Sequence, residues 1–493
     1  MTHRTTVGSR ALLTDLYQLT MAQGYFATGR AEHQSVFHLF FRKLPFHGGY
    51  AIACGLADVA DYLDGLHFEA DDLAYLASLR GNDERPLFSD AFLRYLDDLV
   101  LRLDVDAIPE GTLVFAHEPL VRVKGPLLQA QLVETALLNT INFQTLVATK
   151  AARVCGAAGG DPVLEFGLRR AQGPDGAVTA SRAAYVGGCA ATSNVLAGYR
   201  FGIPVRGTHA HSWVMSFDSE LEAFRAYAEA MPNNTVFLVD TYDTLTGVRH
   251  AIEIGLALRE RGARLGGIRL DSGDLAWLSI EARKQLDQAG FPDAAIVASN
   301  DLDEHLVESL RRQGARITVW GVGTKLVTAH DQPALGGVYK LSAIRGPEGN
   351  APWSYRVKLS EQSAKISTPG IQQVRRYHDP STNLFVADVI CDEVAPPTGP
   401  VELVDPRDYT RRKDIAPGLP CEELLVPVFR EGRRVYDTPS AAQARTRTRE
   451  QLAALSQWTK RLENPHEYPV GLERGLAERR LALVKSAAEA KGR

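Results

Sequence analysis

The middle of the chain keeps a rhythm that neither end shares. From about Asp161, short apolar runs alternate with longer stretches whose apolar positions recur at helical spacing. Val163–Leu168 reads as a strand that runs into Arg169 and Arg170, and Ala191–Gly198 opens a helix. The run from Gly202 to Val214, GIPVRGTHAHSWV, reads as β-rich and carries two histidines. Thr235–Val239 is an apolar strand ending at Asp240, followed by a helix from about Thr244 to Arg261. Gly267–Leu270 ends at Asp271 and leads to a helix over Leu275–Ala289. Ala295–Ala298 ends at Ser299 and Asn300, with a helix to Gln313, and Ile317–Trp320 ends in Gly321, Val322, Gly323 and Thr324. Strands and helices alternating at these lengths predict a parallel sheet. The polar residues gather at strand carboxyl ends, where a (β/α) barrel keeps its active site. An open doubly wound sheet would place its site likewise. No GxGxxG follows a strand, however, and the number of units favours a barrel.

The flanks read differently. Leu12–Phe26 has helical spacing, with Thr14 and Asp15 as candidate caps; Val36–Leu44 partly alternates like a strand; Asp58–Ser78 and Asp90–Leu101 read as helices. Pro109–Val123 is β-patterned, and Leu132–Ala152 is a long amphipathic helix leading into the rhythmic region. After about Leu341, Tyr355–Leu359, Gln373–Tyr377 and Leu384–Ile390 look like antiparallel strands, Pro396, Pro397 and Pro400 mark a loop, and Ser440–Arg493 reads as helical. The expected class is α/β: an irregular (β/α) barrel with a mixed α+β domain built from N-terminal and post-barrel segments and a helical C-terminal tail. The expected division is an N-terminal α+β domain over residues 1–130, the barrel over 131–340, a β-rich segment over 341–435 packing with the N-terminal domain, and the tail over 436–493.

Composition narrows the partners more than the fold. At 493 residues the chain exceeds one ordinary core. A formal net charge of −4 gives no electrostatic case for nucleic acid or an anionic membrane. No stretch is long and apolar enough to span a bilayer, and the first residues lack an apolar signal region, so a cytoplasmic location is expected. Five cysteines are scattered without a CxxC, which suggests neither a disulfide framework nor a cysteine zinc site.

Candidate chemistry collects at the strand ends. His209 and His211, two apart in a predicted strand, would share one face, beside Gly207, Thr208 and Ser212. Arg169, Arg170 and Arg269 suit carboxylate or phosphate in forked pairs. The Gly321–Thr324 turn can present amides to a phosphate, although glycines after a strand often make only a turn. Asp240, Asp271 and Asp274 suit Mg²⁺ or ribose hydroxyls. Together they describe a site for a phosphorylated sugar and an anionic partner. Rival readings exist. HxH at a barrel strand end is also the zinc signature of metal-dependent amidohydrolases, but that site needs histidines at later strand ends, and His250, His305 and His330 fall in predicted helices or loops. TVFLVDTYDTLTG resembles the acidic run of type I phosphoribosyltransferases, with the acidic pair broken by Thr241. A non-enzymatic scaffold leaves the strand-end polarity unexplained.

Several stretches in consistent order carry a closer resemblance: LLTDLYQLTMAQGYF from Leu12, FFRKLPFHGGYAIACGL from Phe40, EFGLRRAQGPDG from Glu165, SNVLAG from Ser193, GTHAHSWV from Gly207, DTYDTLTG from Asp240, IRLDSGDL from Ile268 and VGTKLVT from Val322. The sequence resembles the nicotinate phosphoribosyltransferases, within the type II phosphoribosyltransferases. The resemblance implies synthesis of nicotinate mononucleotide and pyrophosphate from nicotinate and 5-phosphoribosyl 1-pyrophosphate (PRPP), coupled to ATP hydrolysis through a phosphohistidine at His211, with Mg²⁺ required. It implies Tyr17, Thr208, Arg269, Arg170 and Ser193 at the nicotinate. Arg169, Asp240, Gly321, Gly323 and Thr324 fall at the PRPP, and Asp271 is expected in catalysis and, with Asp240, at Mg²⁺. It further implies a homodimer sharing its sites, with the Tyr17 region entering from the neighbouring subunit. Nicotinamide-using relatives carry aspartate at the place of Ser193, so serine here is consistent with nicotinate; Ser193 could equally be a helix N-cap. Nicotinamide- and quinolinate-using relatives remain the alternatives. His209 stands where the family commonly has another residue, and its role stays open.

Overall fold

The computed structural model describes residues 10–349, 351–360 and 366–491. Two compact units divide the chain: residues 146–333 with 440–448 form one, and residues 1–145, 334–439 and 449–493 form the other. The helix Glu134–Ala158 carries the boundary within it.

The first unit is the rhythmic region. Its sheet has six strands in the order Ala191–Thr192, Val163–Glu165, Val319–Val322, Ala295–Ala298, Gly267–Leu270, Val236–Leu238, and every pairing is parallel. Ile268, Leu270, Ile296 and Ala298 are wholly buried, the apolar content expected of strands covered on both faces. Helices Gly173–Val186, Thr244–Glu260, Leu275–Gln288 and Glu304–Arg312 alternate with the strands. Three of these begin on an aspartate cap: Asp243, Asp274 and Asp303 accept from backbone N–H groups of their first turns. This is the expected (β/α) barrel, and it is irregular at one place. The run from Gly202 is not a strand. A single parallel bridge, Thr192 to Val205, is all the pairing it makes. Residues 206–210 are extended loop, and His211 opens a short helix, His211–Met215. Among the described residues the strand Val236–Leu238 therefore has no strand partner on that side, and side chains replace the ladder. The Leu238 N–H donates to His209 Nε2 at 3.2 Å, and the Asn234 side-chain amide donates to the Gly207 carbonyl at 3.3 Å.

The second unit interleaves the N-terminal and post-barrel segments. Gln34–Phe40 lies antiparallel between Val338–Arg345 and Val121–Pro126 in a seven-stranded sheet, so the two ends of the chain share a core. A second, six-stranded sheet contains Gln372–Asp379, Leu384–Asp392 and Val401–Val404. The tail was expected to be helical and is so at Ala441–Ala454 and Arg474–Lys491. Between them, however, Val470–Glu473 enters this sheet parallel to Leu384–Asp392. Three further expectations change. Asp58–Ser78 is two helices, Leu56–Asp64 and Ala70–Ser78, separated at Gly65. Ala191–Gly198 splits into a two-residue strand and a helix from Val195. Tyr355–Leu359 reduces to a strand at Ser354–Tyr355.

Candidate active site

A cavity of about 280 Å³ opens at the carboxyl ends of the parallel strands. Arg169, Arg170, Ser193, Thr208, Arg269, Asp271, Gly321, Gly323 and Thr324 all line it, joined by Phe166, Ser299, Asn300 and Asp301. The sequence pattern thus brought most candidate residues to one place. Two stand just outside the lining: Asp240 and His211 back onto Asp271. Tyr17 belongs to the other unit, on the helix Leu16–Ala27, and is half exposed.

Arg269 is the anchor. It emerges from the strand Gly267–Leu270, and its guanidinium is held on three sides. Nε donates to Ser299 Oγ at 2.9 Å, Nη1 to Thr208 Oγ1 at 3.1 Å and Nη2 to Asp271 Oδ1 at 2.8 Å. Thr208 in turn donates to the His209 carbonyl. A guanidinium has five N–H groups, so one on each terminal nitrogen is left for a ligand. Burial pushes the Asp271 carboxyl up, but hydrogen bonding from Ser299 and the Arg269 charge outweigh it, and its pKa falls below the usual value. Asp271 therefore stays charged. By contrast, Arg169 and Arg170, in the turn Leu168–Arg170, meet no carboxylate among the described residues while lining the same cavity. Two fixed charges and two free guanidiniums make an asymmetric, anion-seeking site.

The glycines serve contact as well as turning. A side chain at Gly321 would meet the Phe166 ring at 2.8 Å, and one at Gly323 would press on the Phe166 carbonyl at 3.2 Å. Phe166 thereby packs closely against the turn, with the Arg269 guanidinium 5.9 Å from its centroid. Its neighbour Glu165 is fully buried and accepts from Ser181 at 2.8 Å, from Thr192 and from the Gly167 amide, which fixes the start of the arginine turn. Neither Phe166 nor Glu165 was singled out as a site residue in the sequence, although both lie within the predicted strand Val163–Leu168; the observed strand stops at Glu165. Asn300 and Asp301 sit at φ 93° and 44°, strained for residues with a Cβ, and both line the cavity.

The two histidines part company. In a strand they would share a face; the loop and helix send them opposite ways. His209 is buried against Phe224, Tyr227 and Phe237. Its Nε2 receives the Leu238 N–H and its Nδ1 lies 3.3 Å from the Ala210 carbonyl, which fixes the neutral tautomer with hydrogen on Nδ1. Burial lowers its pKa, an effect the nearby Arg269 charge reinforces. Both ring nitrogens are occupied, so the paired-histidine zinc reading fails here. His211 heads its helix half exposed. Its Nδ1 lies 3.1 Å from Thr241 Oγ1, and its Nε2 stands 3.9 Å from Asp240 Oδ1 and 3.8 Å from Asp271 Oδ2. Asp240 Oδ2 accepts from the Asp271 amide at 3.0 Å and from Ser272 at 2.6 Å, while its buried Oδ1 has no hydrogen-bond partner among the described residues. Asp274 leaves the acidic group, because it caps the helix Leu275–Gln288. Ser193 is not an N-cap: Asn194 caps Val195–Phe201, and Ser193 is left to the cavity.

Fold and site together define an α/β-barrel enzyme for anionic, phosphorylated substrates. Comparison with known proteins narrows the class. Residues 12–142 match the model of the nicotinate phosphoribosyltransferase N-terminal domain, residues 162–348 that of the nicotinate phosphoribosyltransferase family, and residues 371–480 that of its C-terminal domain. The chain is 45% identical to the nicotinate phosphoribosyltransferase of Bacillus subtilis, over 94% of this chain and 93% of the relative. Human nicotinic acid phosphoribosyltransferase superposes with a TM-score of 0.81 at 34% identity, covering 96% of this chain and 99% of the human one. A nicotinate-nucleotide pyrophosphorylase from Pyrococcus furiosus shares the fold, with a TM-score of 0.67 at 22% identity, over 91% of this chain and 97% of that one. The chain belongs to the nicotinate phosphoribosyltransferase family.

Proposed function

We infer that the protein transfers the phosphoribosyl group of PRPP to the ring nitrogen of nicotinate, giving nicotinate mononucleotide and pyrophosphate in the salvage route of NAD biosynthesis. The observation that carries the site assignment is the free pair of N–H groups on Arg269. A guanidinium pinned by Asp271, Ser299 and Thr208 is preorganised to take the nicotinate carboxylate in a forked pair. The pyridine ring then lies by Phe166, and Ser193 adds no negative charge against the carboxylate. Arg169, Arg170 and the Gly321–Thr324 turn receive the PRPP phosphates. The pyridine nitrogen forms its bond to ribose C1 as the C1–oxygen bond to pyrophosphate breaks, and the electron pair leaves with pyrophosphate.

Asp240 and Asp271 fit Mg²⁺: one is a buried carboxylate with an unpartnered oxygen, the other a carboxylate kept ionised. Two carboxylates completed by substrate phosphates is a usual Mg²⁺ set. When bound, the ion supplies charge neutralisation for the leaving pyrophosphate. ATP is a co-substrate whose γ-phosphoryl group passes to a His211 ring nitrogen, releasing ADP, and later to water. His211 is suited to this by exposure and by Thr241, which fixes the ring between the two carboxylates. Tyr17 completes the nicotinate site from the second subunit of a homodimer.

The test is a product assay with PRPP, Mg²⁺ and nicotinate, nicotinamide or quinolinate, each with and without ATP. Nicotinate mononucleotide formation, raised by ATP, is expected; turnover of nicotinamide in its place would sink the Ser193 argument. Mixing inactive Tyr17→Ala and Arg269→Ala proteins tests the shared site, since hybrid dimers regain part of the activity only if Tyr17 acts across subunits.

A further inference from the structure

The unit built from the chain ends holds a second cavity, of about 520 Å³. Among the described residues, six cationic side chains line it, Arg42, Lys43, Arg407, Arg411, Arg412 and Lys413, against two carboxylates, Asp405 and Glu467. Those carboxylates are already engaged. Asp405 pairs with Arg407 at 2.8 Å and Arg411 at 3.4 Å, and Glu467 takes the same two arginines. Arg412 reaches Glu402 at 3.2 Å. Arg42, Lys43 and Lys413 are left with no carboxylate among the described residues, and Lys413 donates only to the Val386 carbonyl.

The surroundings add to this imbalance. Behind the wall, buried Arg480 donates to the carbonyls of Ile366, Ser367 and Pro406 and to the Tyr409 hydroxyl, and to no carboxylate among the described residues. His117 lines the cavity at φ 75°, a left-handed backbone strained for a residue with a Cβ. Burial, then the charges of Arg407 and Arg480, push its pKa down to about 4. Burial also lowers Arg42 and Lys413. Partly desolvated cations without counter-charge destabilise a fold unless an anion completes them. Leu44, Leu403, Pro465 and Tyr468 add apolar surface to the lining. The volume lies within the usual range for small-molecule sites, about 300–1,000 Å³.

We propose that this cavity binds a phosphorylated small molecule, with its phosphate on Arg42, Lys43 and Lys413 and its remainder against the apolar surface of Leu44 and Tyr468. Three uncompensated cations around one concavity suit a multiply charged phosphate better than a single carboxylate. The ligand is either a free phosphate species or a nucleotide; the shared group is phosphate.

Calorimetric titration of the full-length protein with pyrophosphate, AMP and adenosine tests this, because the active site supplies an internal reference. Two classes of site per chain are expected for pyrophosphate or AMP and none for adenosine at this cavity. Lys43→Gln, at an exposed position, is expected to weaken one class about tenfold, the loss of one charged hydrogen bond. Lys43→Gln/Lys413→Met is expected to remove that class and leave the other. Preference for pyrophosphate or for AMP would identify the source, and either supports the site. A single class per chain, equal loss of both classes in the double variant, or adenosine binding as tightly as AMP would each overturn it.

Discussion

The two cavities differ in how their charges are balanced and in how the chain assembles them. At the barrel mouth, Arg269 is matched by Asp271 and fixed by two hydroxyls, and successive strand ends of one continuous region supply the lining. In the other unit, cations outnumber carboxylates, and the lining comes from segments around residues 42–49, 115–117, 403–413 and 465–470. The matched Arg269–Asp271 pair is preorganised for chemistry, whereas unmatched cations, Arg169 and Arg170 at the barrel mouth and Arg42, Lys43 and Lys413 in the other unit, await an anion. The difference teaches where to look: a repeating βα pattern gathers function at a predictable end, while a mixed sheet gathers it wherever distant hairpins meet.

The comparison breaks most decisively at Arg269. Arg269→Ala removes the carboxylate clamp and leaves Asp271 without its partner. Truncating one member of a buried hydrogen-bonded charge pair costs roughly 2–5 kcal/mol, so kcat/KM for nicotinate should fall by about two to three orders of magnitude. Steady-state kinetics at saturating PRPP checks this, and an unchanged KM and kcat would remove Arg269 from the site. Next in size is Ser193→Asp, which sets a carboxylate against the substrate's own. Nicotinate turnover is expected to drop about tenfold or more, as one like-charge contact costs on the order of 1–2 kcal/mol when partly buried, with nicotinamide falling less. Substrate competition assays read the ratio directly. His211→Ala is smaller in basal rate: ATP stimulation should vanish while ATP-independent synthesis persists. Stimulation by ATP in that variant would refute the phosphohistidine role.

Much of the barrel was legible because its signals are local. The strands Gly267–Leu270 and Ala295–Ala298 have the bounds their apolar runs suggested, since buried parallel strands need continuous apolar residues. Arg269, Asp271 and Thr324 could be placed in the site because strand ends are ordered in space as in sequence. The Gly202 run was not legible. Its alternation of small and β-branched residues imitates a strand, but beyond Val205 side-chain hydrogen bonds with Asn234 and Leu238 stand in for backbone pairing, and the chain turns into the His211 helix. Asp274 was drawn into the acidic group because a cap and a catalytic carboxylate look alike in sequence. Phe166 was passed over because its importance depends on the side-chain-free face of Gly321, which is contributed by a distant strand. The basic cavity left no trace for the same reason, since charges scattered through loops carry no period.

The finest distinction lies between the neighbouring histidines. If His209 replaces the missing strand ladder, removing its acceptor should be felt in stability and in the placement of Asp240, two residues past Leu238. His209→Phe keeps the aromatic packing with Phe224, Tyr227 and Phe237 but leaves the buried Leu238 N–H unpaired. An unsatisfied buried donor costs about 1–3 kcal/mol, so a fall in Tm of several degrees and a modest loss in kcat are expected. His209→Gln, whose side-chain oxygen can accept the same N–H, should restore part of both. The His209→Gln rescue separates this role from mere packing, and the pH dependence tests whether the ring is held neutral. Burial lowers the folded-state pKa of His209 below its unfolded value of about 6.5. The unfolded chain therefore binds the proton first, and the stabilisation is complete above about pH 6.5 and declines as pH falls toward the depressed folded value. The wild-type Tm should thus decline more steeply below that pH than the Tm of His209→Phe. Thermal melts across this window, compared as a difference between the two proteins, cancel the other titrating groups. Parallel curves would mean that the fold does not hold His209 neutral.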